Sequence, residues 1–244
     1  MFYKLVYEGK SKRMYVKNLN ELLMEFKDEV TAGDGAVKAS ATGKGYLCAA
    51  TSAHLFKVIE DAGIRTHLIE YDGFRTLTVR KLKMAPIEVI VRNFSYGSLL
   101  KRMPLYKELE PLVPPLVEFH YKDDSLHDPL VLAEDILRTG TLSARDLSRV
   151  VELSLLVNHT LGRYFRSAGL KLVDIKLEFG FDQSGDLVLA DEISGDTFRA
   201  LDEQGRHLDK EVFRRTKSVD ALLKAYRDLA LRLGLKVVES GTSA

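Results

Sequence analysis

Cysteine is almost missing from this chain: Cys48 stands alone among 244 residues. That excludes an internal disulfide and a zinc site built on cysteines. In its Ala- and Leu-rich surroundings Cys48 reads as a small buried hydrophobe. Long apolar runs are missing too, and none approaches the roughly 18 residues of a membrane span, so no membrane partner is expected. Net charge is close to zero, at +1 from 36 basic and 35 acidic side chains. A nucleic-acid partner held by a general basic field is therefore not expected. The opening MFYKLVYEGK is interrupted by charge at once, unlike a signal peptide, and the cytoplasm is the expected compartment. No Ser-His-Asp nucleophile elbow, kinase His-Arg-Asp signature, Walker A loop or dinucleotide Gly-x-Gly-x-x-Gly unit occurs. Few Asn and Gln beside abundant Lys, Arg and Glu point weakly to a heat-adapted source.

What remains is a globular composition, 45% hydrophobic and 29% charged, in a length that allows one large domain or two subdomains. Its most informative stretch is 174–192. Asp174-Ile175-Lys176-Leu177-Glu178-Phe179-Gly180-Phe181 alternates polar and apolar, the period-2 pattern of a half-buried strand. A turn at Gln183-Ser184-Gly185-Asp186 leads into Leu187-Val188-Leu189-Ala190-Asp191. With Ser184-Gly185 as a two-residue loop, Glu178 falls directly opposite Asp191. Ile175, Leu177, Phe179, Phe181, Val188 and Ala190 then form the core face. Like charges placed opposite destabilise a hairpin, so the pair asks for a cation, and hard oxygen ligands point to Mg²⁺ shared with nucleotide phosphates. The alternative is a pair of solvated carboxylates on an exposed sheet face. Asp174 and Lys176 on the same face, and Asp196 and Arg199 just beyond, argue against it.

Elsewhere, short strands are expected at Lys4–Tyr7, Arg13–Val16, Leu22–Phe26, Thr66–Tyr71, Phe74–Lys81 and Ile87–Asn93. Thr31–Gly35 reads as a Gly-rich loop. Helices are expected over 45–61, stopped by Gly63, and, as amphipathic stripes, over 144–168 and 218–233. Met84-Ala85-Pro86 is the candidate subdomain joint, because proline breaks a strand ladder. Pro-rich 103–129 reads as irregular and too long to be idle.

Four further groups could carry chemistry. Gly9-Lys10-Ser11-Lys12 offers turn amides and two ammonium groups for phosphates, although lysines at a turn are usually just solvated. Arg92-Asn93-Phe94-Ser95-Tyr96-Gly97-Ser98 could grip a phosphate or carboxylate, or simply pair with a surface acid. Lys122-Asp123-Asp124-Ser125-Leu126-His127-Asp128 invites a zinc reading, but no other histidine has suitable spacing. Asp196-Thr197-Phe198-Arg199, followed by Asp209-Lys210 and Arg214, could equally be a solvated loop. Mg²⁺-dependent phosphoryl transfer is the reading that uses most of these parts.

In order along the chain, YEGKSKRMY, TAGDG with Lys44-Gly45, PIEVIVRNFSYGSLLKR, KDDSLHDP, LVDIKLEFG, LADEISGDTFR and LDKEVFRR closely resemble the SAICAR synthetase family, from about residue 5 to 235. The resemblance implies an α+β, ATP-grasp-like fold of antiparallel sheets, with subdomains at about 1–85 and 86–244 and the nucleotide between them. It implies that ATP, carboxyaminoimidazole ribonucleotide (CAIR) and L-aspartate give ADP, phosphate and SAICAR. It also implies a site: Lys10 and Lys12 over the phosphates, Lys81, Leu82 and Met84 around adenine, and Lys122 by the triphosphate. Glu178 and Asp191 would hold Mg²⁺. Asp34, Arg92, Ser98, Asp174, Lys176 and Arg199 would line the ribonucleotide, with Lys210 and Arg214 nearby. Asp34, Asp174 and Lys176 are the catalytic candidates, and a homodimer is a family habit. Gly195 departs from the family's usual proline, and Ala200-Leu201 from its Leu-Trp. Two rivals share the nucleotide half: a small-molecule or inositol-phosphate kinase, and a non-catalytic nucleotide-binding regulator.

Overall fold

A computed structural model describes residues 3–32 and 37–237. Asp34, one of the sequence candidates, lies outside the described residues. The chain opens with strands β1 (Lys4–Glu8), β2 (Lys12–Val16) and β3 (Glu21–Phe26), then a separate pair, β4 (Glu29–Ala32) and β5 (Val37–Ser40). Helix α1 (Lys44–Asp61) is followed by β6 (Leu68–Tyr71) and β7 (Thr76–Arg80), which complete an antiparallel sheet in the order β1-β2-β3-β7-β6. The α1 stripe is buried through Leu47, Leu55, Phe56 and Ile59, and Gly63 ends the run with φ at 83°. Glycine reaches that left-handed backbone without steric cost.

The chain then enters a second sheet through β8 (Lys83–Phe94). Pro86 does not break this strand. It sits at a register irregularity between β8 and its neighbour, and its carbonyl accepts the Lys122 amide at 3.1 Å. A bulge is one of the few places where a sheet tolerates proline. After the short α2 (Ser98–Arg102), the Pro-rich segment expected to be irregular forms an eleven-residue strand, β9 (Pro111–Tyr121). Pro114 and Pro115 fall in the gap between the Leu116–Arg92 and Pro111–Phe94 pairings, beyond the two residues that β10 (Leu130–Val131) pairs on the outer edge. Their missing amide protons are not needed there.

Helices α3 (Ala133–Arg138) and α4 (Ala144–Ser167) lead to the central strand β11 (Lys171–Phe181), then β12 (Leu187–Ala190) and β13 (Phe198–Leu201), α5 (Glu211–Thr216) and α6 (Val219–Arg232). The second sheet runs β10-β9-β8-β11-β12, with β13 pairing the first half of β11. Ser143 and Ser218 cap α4 and α6 by accepting the Asp146 and Ala221 amides, the usual role of serine at a helix start. The core packs α4 against one face of this sheet, through Val89, Val91, Ile175, Leu177 and Phe179, while α1 packs on the first sheet and joins it to α4 and α6. Alternation sends Glu88, Arg92, Asp174, Lys176 and Glu178 to the opposite face. No helix among the described residues is long and apolar enough to cross a membrane.

The hairpin register differs from expectation by one residue. Glu178 pairs with Ala190, and Phe181 with Leu187, so the loop holds three residues between Asp182 and Asp186. Asp182 fixes it by accepting the Ser184 and Asp186 amides, and Gly185 turns with φ at 80°. A one-residue slip exchanges faces: Leu187 and Leu189 join the main hydrophobic cluster, while Val188 and Ala190, expected there, are buried outside it.

Candidate active site

Asp191 nevertheless ends up beside Glu178. The strand stops at Ala190, and Asp191 adopts a left-handed backbone with φ at 62°, which aspartate tolerates better than most residues. Both carboxylates then reach one ammonium: Lys176 Nζ lies 2.6 Å from Glu178 and 4.0 Å from Asp191. Lys176 also donates to Glu88 at 2.7 Å. Lys12, on the first sheet, crosses to Asp191 at 2.5 Å and Glu192 at 2.9 Å. Lys122 pairs with the second Glu178 oxygen.

Burial opposes ionisation of both acids. The three lysines outweigh it, holding Asp191 far below its ordinary value and Glu178 below its own, despite their mutual repulsion. Burial likewise works against the charge on Lys12 and Lys176, but the carboxylates push both further up. The pair is therefore ionised and surrounded by cations, with Glu178 buried and Asp191 partly so.

These groups line an open cleft of about 700 Å³ between the two sheets. Of the residues expected at a site, Lys10, Lys12, Met84, Lys122, Lys176, Glu178, Asp191, Lys210 and Arg214 border it. Lys10 reaches across its mouth to Asp124 at 2.6 Å. Lys81 and Leu82 are not on its wall; Leu82 and Met84 pack over Gly180, where a Cβ would come within 2.8 Å of Leu82. The Arg92, Ser98, Asp174 and Arg199 group is also off the lining and forms a cluster of its own.

That cluster follows from register. Asp174 pairs with Arg92 of β8 on one side and Arg199 of β13 on the other. Its carboxylate takes Arg199 at 2.7 Å and Arg92 at 3.2 Å. Arg92 also donates to Glu118 and to Ser98 Oγ, each at 2.9 Å. Arg92 is 1% exposed, and both its acids are buried, so pairing with a surface acid is not what happens here. Burial pushes Asp174 up, against the pull of Arg199 and Arg92. Glu118 goes down to about 2, because the nearby His120 ring and hydrogen bonds from Arg92 and Arg102 outweigh its burial.

Asp196 is not on a solvated loop. It receives Lys44 at 2.5 Å and the Tyr226 hydroxyl at 2.7 Å, with Lys210 at 3.8 Å. Lys44 and Glu192 were given no site role from sequence; a lysine opening a helix otherwise buried along its length is the signal that could have found the first. Gly195 also finds its reason: a Cβ there would stand 2.7 Å from the Tyr226 ring, so this tyrosine fills the space a proline ring needs. Cys48 is buried, and burial pushes its thiol up to about 12, as befits a core residue.

Such a cleft suits an enzyme that must gather several anions at once. The model of the SAICAR synthetase family matches residues 5–229. The phosphoribosylaminoimidazole-succinocarboxamide synthase of Caldivirga maquilingensis is 54% identical over 232 residues, covering 95% of this chain and 96% of that one. A SAICAR synthetase solved in complex with ADP is 46% identical, with a TM-score of 0.91 over 96% of this chain and 100% of its own. The Ehrlichia chaffeensis enzyme is 38% identical, with a TM-score of 0.92 over the same shares. The chain belongs to the SAICAR synthetase family. It is an ATP-dependent ligase of purine biosynthesis, joining L-aspartate to CAIR. The kinase and the regulator left open by the residues fall away with that match.

Proposed function

We propose that the ligation runs in this cleft through an acyl phosphate, with Glu178 and Asp191 holding Mg²⁺ beneath the ATP triphosphate. The observation that carries the reading is the convergence of Lys12, Lys122 and Lys176 on that carboxylate pair. The donor set fits the ion: two ionised carboxylates, one buried and one partly exposed to the cleft, are hard oxygen ligands with room for phosphate oxygens. When bound, the ion would neutralise triphosphate charge alongside the lysines. ADP in a relative 46% identical supports a nucleotide here.

Lys10 and Lys12 cover the phosphates, and Lys122 faces them from the opposite wall. Lys81, Leu82 and Met84 serve adenine at the crossover between sheets. Ser98 and Arg199 hold the ribonucleotide, and Arg92 and Asp174 fix those two in place. The two-subdomain, ATP-grasp-like description, a homodimer and a cytoplasmic setting are part of the proposal, on the family resemblance.

Chemically, the CAIR carboxylate oxygen attacks the γ-phosphorus and ADP departs. Aspartate's nitrogen then attacks the carboxyl carbon, and the C–O bond to phosphate breaks. All three substrates are anions, and at 4 Å each like-charge pair costs about 4 kcal/mol at an effective dielectric of 20. The cleft's cations remove that cost by position alone. The test is ADP formation with each substrate omitted in turn. Steady turnover that needs ATP, CAIR and aspartate together is expected; turnover indifferent to aspartate would overturn the proposal.

A further inference from the structure

The acyl transfer leaves a proton unassigned. Aspartate arrives as an ammonium, and only after losing a proton does its nitrogen have a lone pair to attack with. Two of the sequence candidates serve poorly, and the third, Asp34, lies outside the described residues. Asp174 is enclosed between Arg92 and Arg199, and Lys176 is held as an ammonium by Glu88 and Glu178.

Lys210 differs from the other cleft lysines. Lys10, Lys12, Lys122 and Lys176 each donate a hydrogen bond to a carboxylate. Among the described residues, Lys210 has Asp196 as its nearest acid at 3.8 Å, beyond hydrogen-bond reach. Both oxygens of that acid are taken, one by Lys44 at 2.5 Å and one by Tyr226 at 2.7 Å. The Lys210 backbone is fixed, its amide donating to Gly195 at 2.9 Å, while the side chain borders the cleft and is 16% exposed.

We infer that Lys210, in its uncharged form, takes the proton from the ammonium of the bound aspartate. The proton passes to Nζ, the freed lone pair forms the C–N bond to the acyl carbon, and the C–O electron pair leaves with phosphate. The second N–H proton goes to the departing phosphate. Charge at Lys210 is disfavoured first by burial and then by Lys44 and Arg214. Asp196 and, less strongly, Glu192 oppose this, and the balance lies below the ordinary lysine value. Lysine is a base that such surroundings tune.

This assignment rests on the acyl phosphate, and hydroxylamine separates the two. It is already unprotonated near neutral pH, so it traps an acyl phosphate as a hydroxamate without a base. With wild type, ATP, CAIR and hydroxylamine should give hydroxamate. Lys210→Met should lose aspartate-dependent product about 100-fold or more, the scale of a positioned base, while hydroxamate falls less than about tenfold. Hydroxamate also reports that the variant is folded. Wild type should show a rise of kcat with pH when aspartate is the acceptor, and Lys210→Arg, whose guanidinium stays protonated, should lose it. Equal losses in both reactions, or an unchanged pH profile in Lys210→Arg, would overturn the role of Lys210. Absence of hydroxamate with wild type would overturn the acyl phosphate itself.

Discussion

Replacing Arg92 by leucine should cost about 3 kcal/mol of stability at neutral pH. Its guanidinium joins two acids whose side chains are 3% and 5% exposed, Glu118 and Asp174. Breaking a buried pair by removing one partner costs about 3–5 kcal/mol, because a charge is left without compensation. The lower end applies, since Glu118 keeps Arg102 at 2.5 Å and Asp174 keeps Arg199 at 2.7 Å. For a chain of this size that lowers Tm by about 6–12 °C. The pH dependence has a definite sign. Glu118 is held at about 2 in the fold against 4.5 as its ordinary value. Its contribution is therefore complete above about pH 4.5 and is lost as pH falls through about 2. Without Arg92 that contribution shrinks, so the gap between variant and wild type should be widest above pH 4.5 and close in acid. Denaturant titrations at pH 7 and pH 3 measure both. A cost below about 1 kcal/mol at pH 7, or a gap that widens in acid, would refute the reasoning.

Gly195→Ala places a Cβ 2.7 Å from the Tyr226 ring and should cost about 1–3 kcal/mol by overpacking. Adding Tyr226→Leu should return part of that loss, and urea midpoints for the single and double variants show whether it does. His67 is buried and stays neutral, its burial pulling it down to about 4 against an ordinary 6.5. The unfolded chain takes up this proton first, so about 3 kcal/mol of stability should disappear as pH falls from 6.5 to 4. His67→Gln should flatten that limb of the stability–pH curve.

The three long helices were legible because their apolar residues repeat at helical spacing over more than three turns, long enough for the stripe to dominate. Strand β11 was legible from its alternation, but not its register. The register hung on loop length, and Asp182 with Gly185 is the signal that was passed over: an aspartate binding the loop amides and a glycine at the left-handed position define a three-residue loop. Strand β9 hid behind its prolines, which are compatible with a sheet only because neither neighbour needs their amides. The cation–carboxylate pairs joining Lys12 to Asp191 and Lys44 to Asp196 span 179 and 152 residues. No local pattern carries information over such distances. Only the resemblance brought the nucleotide lysines and the carboxylate pair together in advance, and it gave Lys44 no role in the site.

The central claim is that the carboxylate pair at the end of β11 and β12 holds the ion under the triphosphate. Titrating Mg²⁺ against initial rate in Glu178→Gln and Asp191→Asn measures it directly. The account predicts folded proteins with a raised Mg²⁺ requirement and turnover reduced by orders of magnitude. Wild-type rates for both variants at ordinary Mg²⁺ would contradict it.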